Sequence, residues 1–258
     1  VNAPGFDSGP EIAGGGLLWW GENGVSLSGA GGTRLLVPLG ANAWTTTVQV
    51  NEGWTVVAER RRLEVGRIRG RLAPVRVLRH CRAGVPESWL AALSEGVLYT
   101  IVRAGCLGRH PWQAQFLVRI RLATGALHVI ARVRSGAVSL VAAGHRLALT
   151  YEVASLQRNR VAVEILDASS ARVLYRVSAP PSYEPPERDA NTQLDAAGDV
   201  LVRGSTGPVS CDCRFAWWGG PATPIGRALP RTSDASLSQG RIAYSTGQGG
   251  VEHIDLLN

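Results

Sequence analysis

The chain has 258 residues, 45% of them hydrophobic and 18% charged, with a formal net charge of +7. That is enough apolar material for a sizeable core and too little charge for a globally disordered chain. No apolar run approaches the roughly 20 residues that a membrane-spanning helix needs. All 27 basic residues are arginine and Met is absent, a bias expected of a GC-rich genome. A chain without Met does not start at its own initiator, which predicts a cleaved signal peptide and secretion. Four cysteines, an even number, fit an oxidising compartment.

From the N-terminus onward, an apolar residue recurs three positions before a glycine, and a short apolar strand follows. Ile12 and Gly15 precede the strand at 17–20, Val50 and Gly53 that at 54–57, and Leu93 and Gly96 that at 97–99. Val141 and Gly144 then precede 147–149, and Leu237 and Gly240 precede 242–244. Between these lies a slipped copy with Leu194 four positions before Gly198 and a strand at 200–202. The glycine intervals are 38, 43, 48, 54 and 42, and the interval from Gly240 round the chain end to Gly15 is 33. Units of similar size all the way round suggest a ring and not an open row.

The third unit shows the internal plan. A first strand at 89–93 is followed by the turn Ser94-Glu95-Gly96 and a second strand at 97–103. After a long loop come a third strand at 115–122, the turn Ala123-Thr124-Gly125 and a fourth strand at 127–133. The fourth unit repeats this with strands at 161–167 and 172–177 around Ala168-Ser169-Ser170. Four antiparallel strands per forty-odd residues is the spacing of a propeller blade. The predicted fold is all-β, a six-bladed β-propeller of mostly four-stranded antiparallel blades. It is read as a single domain over 1–258, with units near 1–40, 41–82, 83–134, 135–180, 181–230 and 231–258. The last unit ends on its third strand at 251–257, so residues 1–9 either complete it or leave it three-stranded.

The run Val118-Arg119-Ile120-Arg121-Leu122-Ala123-Thr124-Gly125 and its counterpart Ile165-Leu166-Asp167-Ala168-Ser169-Ser170 carry a resemblance. They resemble the strand-turn-strand signature of bacterial TolB-like and related secreted WD-repeat-like propellers, without the Trp-Asp dipeptide of true WD repeats. The resemblance covers all six units as a pattern of strands and turns. It implies the fold and assigns no catalytic residue.

In a blade whose strands run outward in order, the loops after strands two and four leave the same face. The irregular loops at 104–114, 179–191 (with Tyr183) and 204–214 are of this class, and long loops on a rigid scaffold are where binding usually resides. The cysteines also fall on that face. Cys81 and Cys106 lie in neighbouring units and are expected to form a disulfide. Cys211 and Cys213, separated only by Asp212, would close a small strained ring if bridged. Four cysteines allow three pairings, and spacing does not choose among them. A zinc site built from His80, Cys81, Cys106, His110, Cys211 and Cys213 is the alternative, but Cys-x-Cys is not the spacing of a zinc knuckle. No metal or other cofactor is expected.

Charge is concentrated. Between 60 and 82 there are nine arginines and one acid, Glu64, while the remainder of the chain nets −1. The candidate binding residues are Arg60, Arg61, Arg62, Arg67, Arg69 and Arg71. The last three alternate along the end of a strand and are expected to share a side. Such a patch suits an anionic glycan or the acidic surface of a protein partner, and its plain alternative is a solvated sheet edge. Nucleic acid fits poorly because no aromatic platform is interleaved with the arginines. Trp44, Trp89 and Trp112 near the loop face are candidates to stack on a sugar or anchor a protein.

There is no Gly-x-Ser-x-Gly, His-Glu-x-x-His or phosphate loop, and the five histidines are dispersed. The expected function is therefore a secreted, non-catalytic binding or assembly module. The alternatives are a hydrolase or lyase working at the channel mouth, and a structural subunit of an extracellular assembly.

Overall fold

The computed structural model describes residues 11–13, 16–21, 24–29, 32–38, 47–51, 53–58, 62–68, 70–79, 81, 89–109, 111–153, 160–178, 192–205, 213–218, 227–228, 234–238, 240–248 and 251–257. Among them the fold is all-β, with two short 3-10 helices, at Arg76–Leu78 and Ala104–Leu107. No helix among them is long and apolar enough to cross a membrane.

The strands form up-and-down antiparallel sheets in chain order. The first sheet comprises β1 (Glu11–Ala13), β2 (Gly16–Gly21), β3 (Gly24–Gly29) and β4 (Gly32–Pro38). The second has β5 (Thr47–Asn51), β6 (Trp54–Ala58), β7 (Leu63–Arg67) and β8 (Ala73–Pro74). The third has β9 (Ala91–Ser94), β10 (Val97–Arg103), β11 (Gln115–Arg121) and β12 (Ala126–Val133). The fourth has β13 (Ala137–Ala143), β14 (Arg146–Val153), β15 (Arg160–Asp167) and β16 (Val173–Ser178). The fifth has β17 (Thr192–Leu194), β18 (Val200–Ser205), β19 (Cys213–Trp218) and β20 (Arg227–Ala228), and β21 (Asp234–Ser238), β22 (Arg241–Gln248) and β23 (Val251–Leu257) form a three-stranded sixth. Residues 1–9, on which the completion of the last sheet turns, lie outside the described residues.

Turn geometry explains the recurring glycine. Gly53, Gly96, Gly144, Gly198 and Gly240 all have positive φ, between 53° and 98°. Side chains other than hydrogen resist that region, so these five hairpins between the first two strands of a sheet select glycine. In four of these five sheets the turn holds two residues, as between Ser94 and Val97, which are paired. In the fifth sheet Leu194 pairs with Val200, and residues 195–199 make a wider turn that takes up the slipped glycine.

The wider turn is held by a buried carboxylate. Asp195 Oδ1 accepts hydrogen bonds from the N–H groups of Gly198 (2.9 Å) and Asp199 (3.0 Å), and Oδ2 accepts from Gly240 N–H at 2.6 Å. The Tyr175 hydroxyl donates to Gly198 O, and Arg146 donates to Ala196 O. Burial, together with the neighbouring Asp195 carboxylate, raises the Asp199 pKa above its ordinary value, with Arg146 pulling the other way. A carboxyl whose folded-state pKa is raised favours the fold at low pH, and that contribution is lost as pH rises through the raised value. Asp199→Asn is therefore expected to gain stability relative to the parent as pH rises from about 4 towards neutrality. Thermal unfolding of both proteins across that range checks the sign, and a constant difference would discount the carboxyl.

The chain divides into two compact units, residues 1–129 and 130–258. In the first, Val25, Leu36, Val48 and Val57 pack between the first two sheets, and a larger cluster around Val56, Leu63, Leu98, Val102, Val118 and Ile120 joins the second and third. In the second, Ala148, Val163, Ile165, Leu194, Val200 and Val202 join the fourth and fifth sheets. Strands β6 and β10, second in their sheets, are buried almost throughout, whereas β12, the last of its sheet, is exposed at Ala126, His128 and Arg132.

At two junctions, one in each unit, the first strands of neighbouring sheets are tied by side-chain amides. Gln49 on β5 accepts from Leu93 N–H (2.8 Å) and donates to Ala91 O (3.2 Å), and Asn51 donates to Leu93 O (3.2 Å). In the second unit Gln193 on β17 accepts from Leu237 N–H at 2.7 Å, again across 44 positions. Each bond satisfies a backbone group on the edge of the first strand of the next sheet.

Candidate anion-binding face

The arginine-rich segment is built on the outer half of the second sheet. β7 ends at Arg67, where Ile68 N–H donates to Gly53 O (2.8 Å) and Gly70 N–H donates to Arg67 O (2.7 Å). The chain therefore turns after Arg67 and returns as the two-residue β8. The expectation that Arg67, Arg69 and Arg71 alternate along one strand is thereby corrected, since Arg67 is the last strand residue and Arg71 lies beyond the turn. Gly66 permits the bend because the backbone at Arg71 lies against it: a Cβ there would sit 2.5 Å from Arg71 O.

Three contacts fix this segment. Arg34, reaching from β4, donates from Nη1 to Ile68 O (2.9 Å) and from Nη2 to Gly70 O (2.7 Å), clamping the turn from the neighbouring sheet. The Arg67 guanidinium lies over the Trp54 ring, 4.0 Å from its centroid. Arg62 donates to Glu64 at 2.6 Å, which commits the only acid of the segment. Arg71 and Arg76 are exposed, and neither has an acidic partner among the described residues. After β8 the spacing turns helical. Val75 and Leu78 point into the core, while Arg76, Val77 and Arg79 are exposed.

The loop after β10 lies beside this segment. Its 3-10 helix, Ala104–Leu107, ends on Gly108 in the left-handed region (φ 63°), and Ala104 N–H donates to Ala114 O at 2.7 Å to close the loop. Trp112 is 60% exposed and its indole covers Gly105, where a Cβ would meet the ring at 2.4 Å. Arg109 lies over Phe116, 5.3 Å from the ring centroid.

Cys106 of this loop meets Cys81, whose Sγ is 3.9 Å from Cys106 O. The expected pair is thus brought together, but as thiols and not as the disulfide the sequence predicts. The expectation for Trp89 is also corrected. It is only 5% exposed and packs in the apolar cluster with Leu98 and Val102, just before β9 begins. Arg60, Arg61, Arg69, Trp44, Tyr183 and Cys211 lie outside the described residues, as does the side chain of Cys213. Arg34 and Trp54, which position the basic turn, are not among the site residues read from the sequence. Arg34 carries no local signal, whereas Trp54 pairs with Arg67 across β6 and β7 and was readable from strand register.

No protein-family model and no curated protein matches the chain. Among solved structures, it is similar to the β-propeller domain of the trilobed protease from Pyrococcus furiosus at 9% identity and a TM-score of 0.38, covering 97% of this chain and 80% of that one. It is also similar to a prolyl endopeptidase at 11% identity and a TM-score of 0.46, covering 86% of this chain; the chain spans about a third of that protein, 34%.

Proposed function

We propose that the chain is a six-bladed β-propeller that binds an anionic partner, an acidic glycan or the acidic surface of a protein, through the arginine-rich outer half of its second sheet. The succession of short antiparallel sheets, one per repeat in chain order, supports the architecture. An exported binding module, and not a catalyst, is the role this reading assigns.

The observation that carries the binding reading is the clamped turn. Arg34 and Trp54 hold the backbone and Arg67 in place while Arg71 and Arg76 project into solvent without an acidic partner among the described residues. Cations presented on a fixed frame lose little ordering entropy on binding, and their summed field attracts polyanions.

The test uses a sulfated dextran as probe. Arg71→Ser together with Arg76→Ser is expected to weaken its binding about tenfold at low salt, with the difference shrinking as salt screens the charges. Stability is expected to change by less than about 0.5 kcal/mol, since both side chains are exposed. Arg67 is left intact in this variant because its stack on Trp54 contributes to the fold. Equal affinity of parent and variant at low ionic strength would reduce the segment to a solvated sheet edge.

A further inference from the structure

Two elements that carry exposed cations converge on one pair of sulfurs. Cys81 follows the one-turn helix that bears Arg76, with Arg79 as its C-cap, and donates its N–H to Leu78 O at 2.8 Å. Cys106 lies inside the helix that leads to Arg109 and Trp112. Both cysteines are half-buried, pack on the edge of the apolar cluster around Leu78 and Trp89, and are thiols. A bond between them would fasten the loop at 104–114 to the arginine-rich segment.

We propose that Cys81 and Cys106 form a reversible latch: joined by thiol–disulfide exchange, they hold the Trp112 loop closed against the second sheet, and reduced, they let it open locally. The cross-link does not require the glycan or protein partner proposed for the arginine-rich segment. Half-burial matters, since a fully buried pair would be inaccessible to exchange and a fully exposed pair would not be prepositioned. The oxidant is a small anionic disulfide, which exposed Arg76, Arg79 and Arg109 draw to the junction. One protein thiolate attacks a sulfur of that disulfide, expels its other half as a thiolate and leaves a mixed disulfide. The second cysteine then attacks the protein-side sulfur and releases the remaining half. One protein disulfide forms, the small disulfide is reduced to two thiols, and the two cysteine protons end on them.

Burial and the neighbouring Cys106 thiol push the Cys81 thiol up to about 12. Loss of its proton is then the scarce event. Latch closure is expected to accelerate about tenfold per pH unit between about 7 and 9, as the thiolate fraction rises.

The experiment exposes the folded protein to oxidised glutathione, then digests it with trypsin under denaturing, non-reducing conditions. Cleavage after Arg79, Arg82, Arg103 and Arg109 isolates the two cysteines, so the expected product is residues 80–82 joined to residues 104–109, released by dithiothreitol. Brief trypsin treatment of the folded protein reads the loop itself. The cut after Arg109 should slow by at least about tenfold in the oxidised form and recover on reduction. A Cys211→Ser, Cys213→Ser background removes competing thiols, and the parent run in parallel yields the same peptide even if that background folds poorly. Separate glutathione adducts at Cys81 and Cys106 with no joined peptide would overturn the latch, as would cross-linked protein whose cleavage after Arg109 is as fast as that of the reduced form.

Discussion

Asp195→Ala is expected to lower the free energy of unfolding by about 3–5 kcal/mol, the range for breaking a buried charge-assisted network. The carboxylate is 7% exposed and accepts three backbone N–H groups, from Gly198, Asp199 and Gly240. Alanine leaves all three donors without that acceptor. It also removes the tie between the turn of the fifth sheet and that of the sixth. Against a typical total of about 5–15 kcal/mol such a loss is large, so it should be obvious in urea titration or thermal melting. Asp195→Asn keeps one acceptor oxygen and should lose less, about 1–2 kcal/mol. If Asp195→Ala unfolds within about 1 kcal/mol of the parent, water has replaced the carboxylate, and Tyr175, Arg146 and the backbone bonds between Asp195, Gly198 and Asp199 suffice to hold the turn.

That turn also shows where sequence was sufficient. The recurring glycine was legible because only a positive φ closes these hairpins, and the strands at 97–103, 115–122 and 161–167 fall within a residue of β10, β11 and β15. The slip at Leu194 was visible as well, and its cause is the extra length that Asp195 caps. What escaped was nonlocal. The alternation of Arg67, Arg69 and Arg71 reads as a strand, but Arg34 and the close approach at Gly66 bend the backbone, and no pattern within the segment reports a clamp 34 positions away. Trp89 was misread for a related reason, since an aromatic residue beside a loop is buried or exposed according to the sheet stacked on it. Cys81 and Cys106 were paired correctly as neighbours, whereas their oxidation state depends on redox chemistry that residue order does not encode. The repeated amide tie was readable in principle: Gln49 and Gln193 each stand 44 positions before the leucine they hold.

The bend at Gly66 leads to a second large effect, and to one that joins fold to function. In Gly66→Ala the new Cβ would lie 2.5 Å from Arg71 O, 3.0 Å from Arg71 C and 3.2 Å from Leu72 Cα. These are backbone atoms, so no side-chain rotation relieves the overlap; either β7 separates from the returning chain or the turn shifts. The expected cost is about 2–3 kcal/mol, the range for overpacking a tight site. Because the two nearest of these atoms belong to Arg71, the same change should weaken binding of a sulfated dextran although no charge is removed. Gly108→Ala is the comparison. It has φ of 63° with nothing within 4 Å of the new Cβ, so its cost is conformational alone, about 1 kcal/mol. If Gly66→Ala costs no more than Gly108→Ala and leaves polyanion binding unchanged at low salt, the basic turn tolerates displacement, and Arg71 does not depend on the frame that Arg34, Trp54 and Gly66 provide.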